Sequence, residues 1–313
     1  MIRLNLFSIF TLNKLVIFST LSAFEFQQKF SDQNSCLQYL AELKWKDGYV
    51  CNKCGCKSFT KGYHPFARRC SSCRYDESAS AHTIFHNLKF SLQKAFYGVF
   101  RYCKKKGISS YELAKEIGVS QPTAWLFHCK IQQTFESNGK NPLTGEVHID
   151  EFVTGGPEKG KPGRSYGKKK KTLIMVEVRP GSKTGLVYCR KIADFKKDTL
   201  YPIIETTVSK DAKVITDEYP SYDKLIERFP KAKQRKSNTG KGFPILHQQI
   251  MNMKGWLRGI HHQCSDKHYQ KYLDEYCFRT NRRNSEQYIF RNIMQRVVSI
   301  KTKTFKELSA DAA

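Results

Sequence analysis

Two aspartates stand out by their setting. Asp150 ends the run His148-Ile149-Asp150 and is followed by Glu151, while Asp217 ends Val214-Ile215-Thr216-Asp217 and is followed by Glu218. Carboxylates at the ends of separate strands can meet on one edge of a sheet and hold divalent metal. They do so here in a chain with 54 Lys+Arg against 28 Asp+Glu, a net charge of +26. So cationic a protein attracts polyanions, and metal-binding acids within it point to chemistry on nucleic-acid phosphates. Glu151 and Glu218 face the opposite side of a continuing strand from their neighbouring aspartates, so each is a fallback ligand only.

A second group of ligand-type residues lies upstream. Cys51-x2-Cys54 and Cys70-x2-Cys73 are separated by 15 residues. Each pair places two thiolates on one tight turn, and two such turns complete a tetrahedral four-sulfur site for structural Zn²⁺. A redox role for C-x2-C calls for a βαβ setting that is missing here. Cys56 reads as a bystander, with replacement of one of the four ligands as the alternative. The chain has 11 cysteines, an odd number, and most of the others are scattered. That usage fits a reducing compartment and a metal site better than a disulfide framework, and the protein is expected to be cytoplasmic, nucleoid-associated if bacterial. Lys61, His64, Arg68 and Arg69 between the knuckles make a basic ribbon suited to DNA.

A third pattern is helical. In the segment from Ile108 to Trp125, Leu113, Ala114 and Ile117 supply a packed face, Gly118 a turn, and Ser120 a cap for a second helix whose first turn tolerates Pro122. This is helix-turn-helix form, and the second helix of such a pair enters the major groove. Gln121, Thr123 and, further along, His128 would be its base readers. An ordinary helical hairpin is the alternative.

These groups must be positioned by the elements around them. Phe26 to Leu43 has helical spacing, with Ser31 or Asp32 as an internal cap, and a second helix is expected over 91–106, ended by Gly107. A linker at 137–142 marks a change to strand patterns at 147–153, 173–178 and 186–190, then a helix at 198–208 and a strand at 213–217. Helices follow at 221–228, 250–259 and 265–281. The composition, 40% hydrophobic and 13% aromatic, is that of a folded chain. The fold class expected is α+β and multidomain. An apolar segment of unclear role at 1–24 precedes a helix plus ribbon over 25–80, a helical DNA-binding region over 86–136, and a mixed-sheet catalytic domain over 145–300. DNA binding is expected to separate from catalysis within residues 25–135. The charge-free run from Leu15 to Phe24 is too short to span a bilayer, and no membrane partner is expected.

The order of these motifs resembles the DDE-type transposases, and in particular their zinc-ribbon insertion-sequence branch. The resemblance rests on Phe26-Gln27-Gln28-Lys29-Phe30, Trp45-Lys46-Asp47-Gly48, the two knuckles, Thr83-Ile84-Phe85, the helical pair, Asp150-Glu151 with Gly155-Gly156, the run from Asn252 to His262, Tyr272-Leu273-Asp274-Glu275-Tyr276, and Phe278-Arg279-Thr280-Asn281-Arg282-Arg283. It covers about residues 25 to 285. It implies an RNase H-like catalytic domain and two Mg²⁺ ions that serve strand cleavage at terminal inverted repeats and joining to target DNA. Double-stranded DNA and a homo-oligomer on it are the implied partners.

The same resemblance makes Asp150 and Asp217 metal ligands and puts Asn252 in the third position, where Glu is usual. Some members of the branch resemble this chain in that respect. An amide oxygen can bind Mg²⁺ but brings no charge, so the ion would be held more weakly. Lys254 and Arg258, four apart, share a helix face and could grip DNA phosphate beside the site. Lys254 lies about 200° around the helix from Asn252. Gly255, Trp256 and Gly259 are expected to serve packing, and Glu275 a salt bridge. A non-catalytic ribbon and helix-turn-helix regulator, a nuclease that cuts without joining, or an inactive transposase remnant are the competing readings. The regulator would leave the paired aspartates without a purpose.

Overall fold

Alternating strand patterns and capped helices organise the chain into two compact units, 1–104 with 284–302, and 105–283 with 303–313. The computed structural model describes residues 22–104, 107–136, 141–156, 169–261, 264–284, 286–300, 303 and 307–308. Residues 1–21 of the apolar segment expected at 1–24, residues 137–140 of the linker at 137–142, and His262 fall outside the described residues.

In the first unit, the helix expected from Phe26 to Leu43 is two helices, α1 (Ala23–Lys29) and α2 (Gln33–Lys44). The break has a local cause. Ser22 and Glu25 form a capping box that starts α1, and Asp32 with Ser35 forms another that starts α2. A cap residue needs extended backbone, so Asp32 cannot lie inside a helix. The ribbon follows as three short antiparallel strands, β1 (Phe59–Lys61), β2 (Arg68–Cys70) and β3 (Asp76–Glu77), in the order β1-β2-β3. Lys44 at the end of α2 reaches the fully buried Glu77 at 2.6 Å and ties the helix to the ribbon. Next comes α3 (Leu92–Tyr102), capped by Ser91. The unit is completed by the helix Glu286–Ser299, which the sequence reading had placed with the catalytic domain. Phe26, Phe30, Phe96, Phe100 and Phe290 pack as one aromatic cluster, with Phe26 stacked on Phe100 at 4.4 Å.

The second unit opens with the helical pair α4 (Ser110–Ile117) and α5 (Gln121–Gln132). Its sheet has β4 (Glu146–Thr154), β5 (Lys170–Arg179), β6 (Lys183–Ile192), β7 (Lys213–Thr216) and β8 (Lys233–Gln234), with α6 (Lys197–Thr207) crossing between β6 and β7. The strand order is β6-β5-β4-β7-β8; β4, β5 and β6 pair antiparallel, whereas β7 and β8 run parallel to β4. This mixed sheet has the form of an RNase H-like fold. Residues alternate across it. Val147, Ile149, Met175 and Val214 pack with Leu200 and Ile204 of α6 on one face. Ile174, Val176, Val187 and Ile215 pack on the other against α7 (Pro244–Ile260) and α8 (Tyr269–Thr280).

The outer edge of β6 is closed by side chains instead of a strand. Asn281 accepts from the Val187 N–H at 2.7 Å and donates to the Val187 carbonyl at 2.9 Å, and Gln270 treats Lys191 and Cys189 in the same way. An unpaired edge would otherwise invite another strand. The helix expected at 221–228 is two 3₁₀ turns, Pro220–Tyr222 and Leu225–Glu227. The helix expected to begin at Ile250 begins at Pro244, a residue pre-set for the first helical turn.

Candidate active site

The β4–β7 ladder brings the two aspartates together. Its last parallel pair is His148 with Ile215. Continuing that register puts Asp150 level with Asp217, on strands about 4.8 Å apart. Asp217 follows the end of β7, as expected, whereas Asp150 lies mid-strand because β4 runs on to Thr154. Both carboxylates are half-buried. One oxygen of each is engaged by nearby backbone: Asp150 accepts from the Glu151 N–H at 2.8 Å, and Asp217 from the Tyr219 N–H at 3.2 Å.

Helix α7 supplies the rest of the site. His247 Nε2 lies 3.9 Å from Asp150 Oδ2, is buried, and has no hydrogen-bond partner among the described residues. That spacing is too long for a hydrogen bond and suits two donors on either side of one cation. The His247 ring rests on Gly240, where a Cβ would stand 3.1 Å from it. Gly240 has φ +93°, so two constraints call for glycine there. Lys254, seven residues on and therefore on the same face of the helix, lies over the Phe152 ring at 5.2 Å. Burial lowers its ammonium pKa, and the Asp150 carboxylate partly restores it.

Asn252 is exposed and lies about 140° around α7 from His247. It shares its strip with Gly255 and Gly259, where an added Cβ would meet nothing within 4 Å. The expectation that these glycines serve packing is therefore corrected. Trp256 does pack, against Tyr276 and His261. Arg258 is exposed. His247 went unread because the helix was started at Ile250; Pro244 at the first turn was the signal that would have brought it onto the helix.

In the ribbon, the sulfurs of Cys51, Cys54, Cys70 and Cys73 all lie within 4.8 Å of one another. Cys51 and Cys73 are 3.6 Å apart, and Cys54 and Cys70 are 3.5 Å apart. A tetrahedral ion with Zn–S of about 2.3 Å spaces its sulfurs by about 3.8 Å, so the four residues fit zinc. Backbone N–H groups of Lys53 and Cys73 point at the Cys51 and Cys70 sulfurs at 3.4 and 3.5 Å, which stabilises thiolates. Cys56 stands apart and donates to the Ser58 carbonyl.

Comparison with known proteins matches the two stretches that contain these residues. Residues 142–281 match the ISXO2-like transposase domain, and residues 31–76 match the transposase zinc-ribbon domain. The two matches cover separate stretches of the chain, one holding the mixed sheet and the other the cysteine knuckles. It is also 28% identical over 145 residues to an uncharacterized protein in transposable element ISH50 of Halobacterium salinarum, covering 44% of this chain and 49% of that protein. This chain thus spans about half the length of that relative.

In the unit that holds the transposase domain, the helical pair is partly used up by its own packing. Gln121 donates to the Ser110 hydroxyl at 3.2 Å, and Thr123 pairs with the Ser120 hydroxyl at 2.9 Å. Ser120 is the N-cap by position but makes no side-chain bond to the helix backbone. His128 cannot read bases. It is 3% exposed, and burial pushes its pKa down to about 4. Glu275 is fully buried and salt-bridged to Arg279 at 2.9 Å, with Gln132 of α5 donating to it at 3.2 Å. In the ribbon, Arg68 is stacked over Phe59 at 4.1 Å and Trp45 at 4.5 Å, whereas Lys61 and His64 remain exposed. Among the described residues no helix is long and apolar enough to cross a membrane.

Proposed function

We propose that this protein is a DNA transposase that cuts DNA at the terminal inverted repeats of an insertion sequence and joins the freed end to target DNA. The observation that carries the reading is the register placing Asp150 beside Asp217 at the point where β7 ends, inside a transposase domain. Asp150 and Asp217 would hold Mg²⁺, and His247 takes the third position in place of Asn252. The donors fit: two half-buried carboxylates come level on adjacent strands, and a buried imidazole nitrogen lies 3.9 Å from the nearer one. Mg²⁺ bound there would supply Lewis-acid activation of an attacking oxygen and neutralise the leaving one.

The chain's own residues do the rest. Asp150 and Asp217 would set where that ion, and with it the scissile phosphate, sits relative to the sheet edge. In cleavage, a water oxygen attacks phosphorus, the P–O3′ bond breaks, and a 3′-hydroxyl is freed. In joining, that hydroxyl attacks a target phosphodiester, its proton passing to solvent while the target's own 3′-oxygen leaves. Lys254 beside Asp150 and the exposed Arg258 bind the flanking phosphates. Asn252 on the exposed strip, with Gln121 and Thr123 on the helical pair, are positioned to hydrogen-bond DNA. A homo-oligomer would hold the two element ends together.

The test is a strand-cleavage and strand-transfer assay on DNA carrying the element's terminal repeats, with Mg²⁺ titrated. Asp150→Ala and Asp217→Ala should each abolish both steps while leaving end binding intact, because the basic surface is unchanged. If both variants cut and join like the parent, the proposal is wrong. If the parent itself binds ends but never cuts, the chain is an inactive remnant.

A further inference from the structure

The backbone ladder that aligns the aspartates stops short of them. Its last bonded pair is His148 with Ile215, and no described backbone pair joins β4 to the chain after Thr216. Something else must hold Asp150 and Asp217 at a fixed separation, because two like charges side by side push apart.

One side chain spans that gap. Tyr222 closes the 3₁₀ turn Pro220–Tyr222, five residues after Asp217, and is 1% exposed. Its hydroxyl donates to Glu151 Oε1, next to Asp150 on the opposite face of β4. The turn is also fastened at two other points. Tyr219 donates its backbone N–H to Asp217 at 3.2 Å, and the Ser221 hydroxyl donates to the Phe195 carbonyl at 2.6 Å. Burial first, and then the carboxylates of Glu151, Asp150 and Asp217, hold the Tyr222 phenol protonated, so it remains a donor. The phenol is thus within electrostatic reach of all three acids.

The geometry points to Tyr222 and Glu151 as a positioning pair, a side-chain cross-link that replaces the missing backbone bonds and sets the spacing of Asp150 and Asp217 for divalent metal. Glu151 acts here through its hydrogen bond and not as an ion ligand. The inference rests on the proposed metal role of the two aspartates.

The test uses the zinc-loaded full chain and Mn²⁺ alone as probe, with bound and free ion separated by electron paramagnetic resonance. Tyr222→Phe keeps the ring in the core and removes only the hydroxyl. It should weaken Mn²⁺ binding about tenfold, the change expected from one lost hydrogen bond to a charged group, while the metal-free protein keeps a single cooperative unfolding transition at a somewhat lower temperature. Glu151→Gln keeps an acceptor oxygen for the phenol and should bind within about twofold of the parent, and the double variant should match Tyr222→Phe alone. Should Tyr222→Phe fail to fold, Glu151→Ala breaks the same link from the other side and should show the tenfold loss. Parental binding in Tyr222→Phe, or in Glu151→Ala where that variant stands in for it, overturns the inference. So does a larger loss in Glu151→Gln than in Tyr222→Phe, which would make Glu151 a ligand. Mn²⁺ binding that survives unchanged in Asp150→Ala is a different failure: it removes the metal reading itself, and this inference with it.

Discussion

Replacing His247 and Asn252 separately by Ala decides which side chain of α7 completes the proposed metal site. His247 Nε2 lies 3.9 Å from Asp150 Oδ2, and its side chain is 38% exposed. As a plain ion pair with a protonated imidazole, that distance gives about 4 kcal/mol at an effective dielectric of about 20. Solvent screening at so exposed a side chain reduces it to about 1 kcal/mol or less. As a metal ligand the contribution appears only when metal is present. At Mg²⁺ about 100 times its dissociation constant, the parent gains about 2.7 kcal/mol of stability. Even outer partners of metal sites change affinity by about 10–100-fold. A loss of that size in His247→Ala leaves between about 1.4 and 0.4 kcal/mol of the Mg²⁺ effect. Asn252→Ala should keep all of it. Thermal unfolding with and without Mg²⁺ reads this without DNA and without turnover. The reasoning is refuted if His247→Ala retains the parental Mg²⁺ response while Asn252→Ala loses it.

Zinc should be structural: one ion per chain by elemental analysis, lost in a Cys51→Ser, Cys70→Ser double variant. Ribbon folding should be lost with it, since zinc sites of this kind supply about 10–16 kcal/mol of binding that is also folding energy. The buried His128 predicts acid sensitivity. The folded chain keeps it neutral down to about 4 against an ordinary 6.5, so the unfolded chain takes up the proton first as pH falls. Stability is therefore fully present above pH 6.5 and is lost progressively toward pH 4, by about 3 kcal/mol. His128→Gln should flatten that slope in urea unfolding curves. Asn281→Ala strips both bonds from Val187 on the β6 edge and should cost about 2 kcal/mol of stability, read as a lower urea midpoint with an unchanged slope.

Much of the fold was legible because its signals are short-range. The strands at 147–153, 173–178 and 186–190 come out within about three residues of β4, β5 and β6, since alternation fixes which residues face a core. The ribbon was legible for a similar reason, as four cysteines at knuckle spacing have few other uses. What failed needed either a cap or a distant partner. The helix spanning Phe26 to Leu43 looked continuous because its apolar spacing survives the break at Asp32, and only the Asp32–Ser35 capping box reveals it. The helix Glu286–Ser299 follows the transposase domain in sequence but packs Phe290 against Phe26 and Phe30 of the first unit. Local pattern carries no trace of that return. The helical pair has helix-turn-helix form in sequence, yet α5 buries Ala124, Phe127, His128 and Ile131, and Gln132 bonds to Glu275 of α8. It belongs to the core of the second unit, so cutting the chain at residue 135 would expose that face and leave Glu275 short of a partner.

The candidate site divides along the same line. That Asp150 and Asp217 come level on adjacent strands is legible because their place beside strand runs carries that information. The third position depends on which way a helix faces, and that turns on where the helix is anchored and not on a count of residues from Asp217. Once α7 is seen to start at Pro244, helical period narrows the choice. Residues at 247, 250, 251, 254 and 258 lie toward one side, and Asn252 lies off it by about 140° from His247. Asn252 and Lys254, about 200° apart, cannot both face the acids, and it is Lys254 that lies within electrostatic reach of Asp150. Along that side Ile250 is in the core, Met251 is an exposed thioether, and Lys254 and Arg258 are cations. A positive group can hold phosphate but cannot ligate a metal ion. His247 is what remains with a lone pair to offer, and it is the residue whose free nitrogen already points at Asp150.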